Sequence, residues 1–284
     1  MAASPTLRRR RLARQLLKLR ADKGLTVGAV GAEAKRRSPS RPWSAAKVTR
    51  IENRQLQHLR ETDLLTLLDI YGVTDADERA AYVRLAREAS QTGWWVGYRD
   101  VVGSGTYIDL ETGASELRAF EIVFIPGLLQ TPAYAGAVAA ASGVTSEHEI
   151  DRRVEARMMR RQVLDQPDAP TLDAVIDEAA LHKIPEHMRA EQVQHLIDMQ
   201  SRPNVSVRIL PNSTGLHAGM EGAFVLMSFP HDPPVVYLEQ SLAGMFLEEA
   251  DELAHYERVW AHVQESALSA DDSVAFLRGL TGSQ

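Results

Sequence analysis

Seven of the twenty residues in "KRRSPSRPWSAAKVTRIENR", residues 35–54, are Arg or Lys, and Glu52 is the only acid among them. A guanidinium presents a rigid fork of N–H donors that fits phosphate oxygens or the O6 and N7 edge of guanine. Ser and Thr at helix starts leave backbone N–H groups pointing outward, where an anion can settle. The chemistry this segment can do is therefore non-covalent recognition of a polyanion. For acid–base or metal chemistry the residues to nominate are Glu178, His182, His217 and Glu239. No HExxH pair, P-loop, GxSxG or GxGxxG signature accompanies them. The chain has no cysteine, which removes thiolate ligands, disulfides and a Cys nucleophile. The expectation is a protein that is not an enzyme, with no catalytic residues, no cofactor and no metal.

Charge is sorted along the chain. Residues 1–60 hold 16 Lys and Arg against 3 Asp and Glu, although the whole chain of 284 residues carries a formal net charge of -6. Residues 61–284 hold 16 basic and 35 acidic residues. A merely solvated face mixes both signs. Sorting on this scale points instead to a polyanion-binding head on an acidic body. No apolar run reaches the roughly 18 residues a membrane span needs. The Arg cluster of "MAASPTLRRRRLARQLLKLR" has no apolar stretch or cleavage site behind it, so neither a signal peptide nor an anchor is read there. A soluble, cytoplasmic, nucleoid-associated protein is expected, with double-stranded DNA as its partner.

The elements that must carry the basic segment follow from periodicity. Leu12, Leu16 and Leu19 recur at helical spacing, and Gly24 stops that helix. Thr26 caps a short second helix, "VGAVGAEA". "KRRSPSRPW", 35–43, with two prolines and two serines, reads as an enlarged turn. Ser44 caps "AAKVTRIE". On a wheel, Ala45, Val48 and Ile51 form its core side, and Ala46, Arg50 and Asn53 lie opposite, flanked by Lys47, Thr49 and Arg54. Glu52 falls at the edge of the core side, placed to pair with an Arg of the first helix. "DLLTLLDIYGV" and "DADERAAYVRLAREASQ" supply two more helices. Residues 1–92 thus read as an all-α, five-helix head.

Two short helices joined by a polar turn, the second with small and basic residues outward, describe a helix-turn-helix. "LRADKGLTVGAV", "SAAKVTRIENRQ" and "DLLTLLDIYGV" sharpen this. They resemble the helix-turn-helix of the xenobiotic-response-element (Cro/repressor-like) regulators. The resemblance implies DNA contacts from Ser44, Lys47, Thr49 and Arg50 of the recognition helix and from Thr26 at the cap of the helix before it. Arg36, Arg37 and Arg41 of the turn, with Arg54, are expected to meet phosphates or a minor groove. Val27 departs from that family, which carries a Gln there, and the turn is longer than its norm.

From Gly93 the texture changes to short β-branched runs: "EIVFIP", "LDAVID", "VSVRILP", "AFVLMSF" and "VVYLEQ". Helical patterns at 132–141, 146–164, 186–200 and after 249 lie among them. Residues 93–284 therefore read as an α+β (mixed) domain with a largely antiparallel sheet, its last strands a meander through "PHDPP" and "SLAG". "GWW", "IPGLLQTPAYAGAV", "VIDEAALHK", "NVSVRILP" and "ALSADDSVAFL" resemble, in order, a C-terminal domain of uncharacterised function found behind this type of helix-turn-helix in Streptomyces and other actinobacteria. That implies a transcriptional regulator, and from the helix-turn-helix a homodimer on a pseudo-palindromic operator is expected. The alternative the resemblance implies is an antitoxin-like module that captures a small partner protein encoded nearby. For a small-molecule effector or a partner, the pocket candidates are Trp94, Trp95, Tyr134 and His217, the last in the glycine-rich "GLHAGMEGAF". Equally, the tryptophans could weld two domains, and Tyr134 with Leu128 and Leu129 could be core or dimer contacts.

Overall fold

The computed structural model describes residues 5–53, 58–91, 93–103, 105–239 and 244–282. The chain divides into two compact units, Met1–Val96 and Gly97–Gln284.

The first unit is helical, with α1 (Pro5–Asp22), α2 (Val27–Arg37), α3 (Ala45–Glu52), α4 (Glu61–Tyr71) and α5 (Ala76–Ala89) among the described residues. Its core is the stripe the spacing announces: Leu12 and Leu16 of α1 close on Val30, Val48, Ile51, Leu64, Leu67, Leu68 and Tyr71. Removing that much aliphatic surface from water is what holds short helices that would not persist alone. The expected turn of 35–43 is shorter than read. Lys35, Arg36 and Arg37 form the last turn of α2, where cations complement the helix dipole and Glu33 lies three and four residues away.

In the second unit, α6 (Arg99–Val102) and α7 (Thr106–Gly113) precede β1 (Glu116–Glu121), α8 (Pro132–Ala141) and α9 (Glu147–Arg161). Then come β2 (Thr171–Asp177), α10 (Glu178–His182), α11 (Glu186–Gln200), β3 (Val205–Leu210) and β4 (Phe224–Ser228). The unit ends in β5 (Val235–Leu238), β6 (Met245–Leu247), α12 (Ala250–Ser266) and α13 (Ala270–Gly282). The six strands form one sheet in the order β3-β2-β1-β4-β5-β6.

That sheet is mixed, and the expectation of a largely antiparallel one is corrected. β1, β2 and β3 run parallel because α8–α9 and α10–α11 carry the chain back between them. β4, β5 and β6 are antiparallel to their neighbours, β4 and β5 being joined through the short "PHDPP" connection as expected; residues 241–243 of "SLAG" lie outside the described residues. "EIVFIP" contributes only Glu121 to a strand; the strand is the preceding "ELRAFE". One face of the sheet packs Phe120, Val175, Phe224, Leu226 and Val236 against Trp260 and Val263 of α12. The other face presents Leu117, Ala119, Glu121, Val225 and Tyr237 toward α7, α8 and α9.

Candidate functional site

The helix-turn-helix geometry rests on one missing side chain. A Cβ on Gly31 of α2 would lie 2.7 Å from the Ser44 carbonyl carbon and 2.7 Å from the Ala45 nitrogen. Both are backbone atoms and cannot give way, so only glycine lets α2 cross the start of α3 this closely. Ser44 then caps α3, its Oγ accepting from the Lys47 N–H at 3.2 Å. Thr26 caps α2 in the same manner, accepting from Ala29 at 3.1 Å. Both caps are exposed.

α3 has two sharply different sides. Lys47, Val48, Ile51 and Glu52 are buried; Ala45, Ala46, Arg50 and Asn53 are exposed and Thr49 half-buried. At about 100° per residue the buried group centres opposite the exposed one. Two readings from the sequence are corrected by this. Ala45 belongs to the exposed side, and Lys47 faces inward rather than flanking Arg50. The Lys47 ammonium bonds Asp63 of α4 at 2.8 Å and lies 4.0 Å from the centre of the Trp43 ring. The reason is Asp63: a carboxylate buried in the first turn of α4 needs a cation, and Lys47 is within its reach.

Glu52 is held as its position on the helix predicted. Arg20 of α1 grips it with two bonds of 2.6 and 2.8 Å and donates a third, of 2.7 Å, to the Leu25 carbonyl. One guanidinium thus fixes the end of α3 to α1 and to the approach of α2. Burial, with Glu52 nearby, raises the Tyr71 phenol well above its ordinary range and keeps it neutral beneath this pair.

The turn is fastened rather than loose. Lys35 donates to the Pro39 carbonyl at 2.9 Å, Arg41 pairs with Asp63 at 3.2 Å, and Trp43 is buried. Arg36 and Arg37 share Glu33, at 2.7 and 2.6 Å, and stay largely outside, the Arg36 side chain 75% exposed. Their guanidiniums hold the Glu33 carboxyl below its usual range. Arg50 is exposed, and no acid lies within ion-pair distance of it among the described residues. Arg54 lies outside the described residues. Sequence reasoning missed Gly31, Lys35, Trp43 and Asp63. Only Asp63, an acid placed to start an apolar helix, left a signal there.

The four pocket candidates divide between the two units, Trp94 and Trp95 in the first and Tyr134 and His217 in the second. Trp94 and Trp95 sit in a 3-10 turn, Trp94–Tyr98, with Trp95 buried. Tyr134 is buried in α8, its hydroxyl accepting from the Ile125 N–H at 3.3 Å. His217 lies edge-on to Phe120 and 3.4 Å from Asp177. Of the nominated acid–base residues, Glu178 accepts from His182 at 2.9 Å and from the Asn212 N–H at 2.8 Å, which makes it a loop anchor. Among the described residues no three His, Asp or Glu cluster where a metal ion could be held, and no helix is long and apolar enough to cross a membrane.

Comparison with known proteins agrees with this division. Residues 11–82 match the profile of a helix-turn-helix domain, and residues 104–279 match that of a domain of unknown function, DUF5753. No curated protein and no solved structure matches the chain. The helix-turn-helix domain indicates a DNA-binding regulator.

Proposed function

The chain belongs to the DUF5753 family, and we propose that it is a sequence-specific transcriptional regulator that reads an operator through α3. The observation that carries this is the make-up of the exposed side of α3. Ala45 and Ala46 let the helix backbone approach base edges. Arg50 can fork onto guanine O6 and N7, Asn53 can pair with adenine N6 and N7, and Thr49 can reach either. Thr26 and Ser44 put two helix N-termini where phosphates would pass. Arg36 and Arg37 add phosphate contacts from the end of α2.

The second unit supplies dimerisation and signal reception. A homodimer would set two α3 helices about 34 Å apart on a pseudo-palindrome. Mapping bound sites across the host genome, then titrating the recovered site by fluorescence anisotropy at several salt concentrations, tests the reading. A discrete site with affinity at least about a thousandfold above random duplex is expected. Equal affinity for every duplex would defeat it.

A second reading, capture of a small partner protein with DNA binding as autoregulation, has one observation in its favour. Leu216 and Met220, in the glycine-rich loop before β4, are 88% and 57% exposed. Purification of the full chain from its host, with and without the Leu216→Ser and Met220→Ser changes, decides between them. A stoichiometric small partner lost on substitution favours capture.

A further inference from the structure

The second unit encloses a cavity of about 360 Å³, between the face of the sheet turned away from α12 and helices α7, α8 and α9. This is the size range of small-molecule sites. None of the pocket residues expected from the sequence lines it. Its walls are polar and apolar in about equal parts, the apolar part formed by Ile125, Leu128 and Val138 on one side and by Leu117 and Ala119 on the sheet. Into this surface project charged groups that are not all matched.

Arg160 is closed. Both arms grip the buried Glu111 carboxylate at 2.7 and 2.6 Å, and its guanidinium lies 4.6 Å from the Tyr107 ring centre. Arg153, nearer the start of α9, pairs with Glu149 at 2.9 Å. Arg157, between them, is different. One nitrogen donates to the Gln130 side-chain carbonyl at 2.8 Å, and among the described residues no carboxylate lies within ion-pair distance. Burial and the neighbouring Arg160 pull its pKa down, yet a guanidinium does not lose its proton in a protein. The charge stays, half-buried, with Glu239 and Glu111 attracting it only from beyond ion-pair distance, a situation that costs free energy unless something negative comes closer.

Glu121 does not answer it. This carboxyl, at the end of β1, has no hydrogen-bond donor among the described residues. Burial, helped by the Glu239 carboxylate, raises its pKa to about 8, so at neutral pH most of it is the uncharged acid. It then presents an O–H donor to the cavity instead of a negative charge. The loop that closes the cavity is fitted to the arginines. A Cβ on Gly127 would lie 3.1 Å from Arg160 Nη1 and 3.4 Å from Arg157 Nη1, so glycine lets the guanidiniums come up to the backbone. Gln130, the one neutral group on Arg157, is itself held by its Nε2 bond of 2.7 Å to the Ile125 carbonyl.

We propose that this cavity binds a small apolar organic acid, whose carboxylate takes the free donors of Arg157 and whose hydrocarbon or ring body lies against Ile125, Leu128 and Val138. A carboxylate matches a guanidinium fork bidentately, supplies the missing negative charge, and leaves Arg160–Glu111 undisturbed. An ammonium ligand would meet the unpaired Arg157 and a protonated Glu121, while Glu111 is taken by Arg160 and the Glu239 carboxylate of the lining is exposed. That such binding is the signal received by the regulator rests on the reading given under Proposed function; the site itself does not.

The test uses the full chain and three matched sets of probes: octanoate, octylamine and octanol; benzoate, benzylamine and benzyl alcohol; indole-3-acetate and tryptamine. Saturable binding by isothermal titration at pH 7 is expected from at least one carboxylate, with its amine at least about tenfold weaker. Arg157→Met should weaken that carboxylate at least about tenfold, while Arg152→Met, which removes a guanidinium of the same helix that pairs with Asp100 and does not line the cavity, should leave it within about threefold. Circular dichroism of both variants guards against unfolding, and if Arg157→Met does not fold, Arg157→Lys replaces it with the same loss of the fork. No saturable carboxylate binding, preference for the amine, or undiminished binding by a folded Arg157 variant overturns the site. Binding that follows this pattern but leaves operator affinity unchanged keeps the site and removes only its role as a signal.

Discussion

In the first unit Arg20 finds Glu52, and Lys47 and Arg41 find Asp63. In the second, Arg160 finds Glu111, but Arg157 on the same helix and Glu121 on the opposite wall make no ion pair among the described residues. The two units spend buried charge in different ways. The pairs of the first unit are closed and stand behind α3, so they fix its axis and leave its outer side to small residues, Arg50 and Asn53. The cavity of the second unit leaves one cation unanswered. A closed buried pair specifies geometry at little net gain in stability, whereas an open one specifies a ligand. The contrast can be broken or sharpened experimentally.

The largest effect should come from opening a closed pair. Glu52→Ala leaves Arg20 without its carboxylate beneath α3 and should destabilise the helix-turn-helix by about 3–5 kcal/mol. Urea titration of the full chain, followed by circular dichroism for folding and anisotropy for operator binding, reads this out. Operator binding should fail at lower urea than in the parent. An unchanged midpoint would show that the Arg20–Glu52 pair does not hold α3.

Arg50→Ala, on the outer side of the same helix, should do the reverse. It should weaken specific operator binding by about 1–3 kcal/mol with folding unchanged, and relax preference at one base position. Lys47→Met serves as the control from the buried side: any loss of affinity there should track loss of stability and be uniform over base positions. If Lys47→Met alters base preference and Arg50→Ala does not, the two sides of α3 have been assigned the wrong way round.

Much of this contrast was legible in the residues, and what was not has a physical reason. The periodicity of Leu12, Leu16, Leu64, Leu67 and Leu68 announced the core of the first unit, and the position of Glu52 announced its pairing with α1. Lys47 was misplaced because a helical wheel weighs polarity alone, whereas a lysine turns inward when a buried acid such as Asp63 waits for it. β1 was missed because Glu116, Arg118 and Glu121 disguise an alternation whose inward residues are Leu117 and Ala119. Helices did stand between the first three strands as read, and connections of that length join parallel strands; the short turn before β5 drew the reading toward an antiparallel sheet. The cavity was invisible for a different reason: Glu111 and Glu121 come from the adjoining α7 and β1, Arg157 and Arg160 from α9, and only the fold sets that helix against the strand.

Glu121 gives the open side of the comparison a pH signature. Its folded pKa, about 8, stands above the ordinary carboxyl value of an unfolded chain. Between roughly pH 4.5 and 8 the native state therefore holds a proton that the unfolded state has released, and stability falls as pH rises through that window. Glu121→Gln cannot ionise. It should match the parent near pH 5 and gain on it steadily as pH rises to 9. Parallel urea titrations at the two pH values check this, and a gap that does not widen with pH would show that Glu121 is not the unpaired acid described.

The smallest effect belongs to the outermost charges. Arg36 and Arg37 share the single carboxylate of Glu33, so the three residues carry one net positive charge at the end of α2. Removing Arg36 leaves Glu33 and Arg37 as a neutral pair, and screening by salt already limits what an exposed cation contributes. Arg36→Ala should lower operator affinity by less than about 1 kcal/mol, equally for specific and random duplex, and reduce the slope of log K against log salt by at most about 1. Glu33→Gln frees both guanidiniums and should raise affinity for any duplex by a similar amount. If Glu33→Gln instead weakened binding, Glu33 would be orienting the two arginines toward phosphate, and the end of α2 would belong with the closed pairs and not with the open surface.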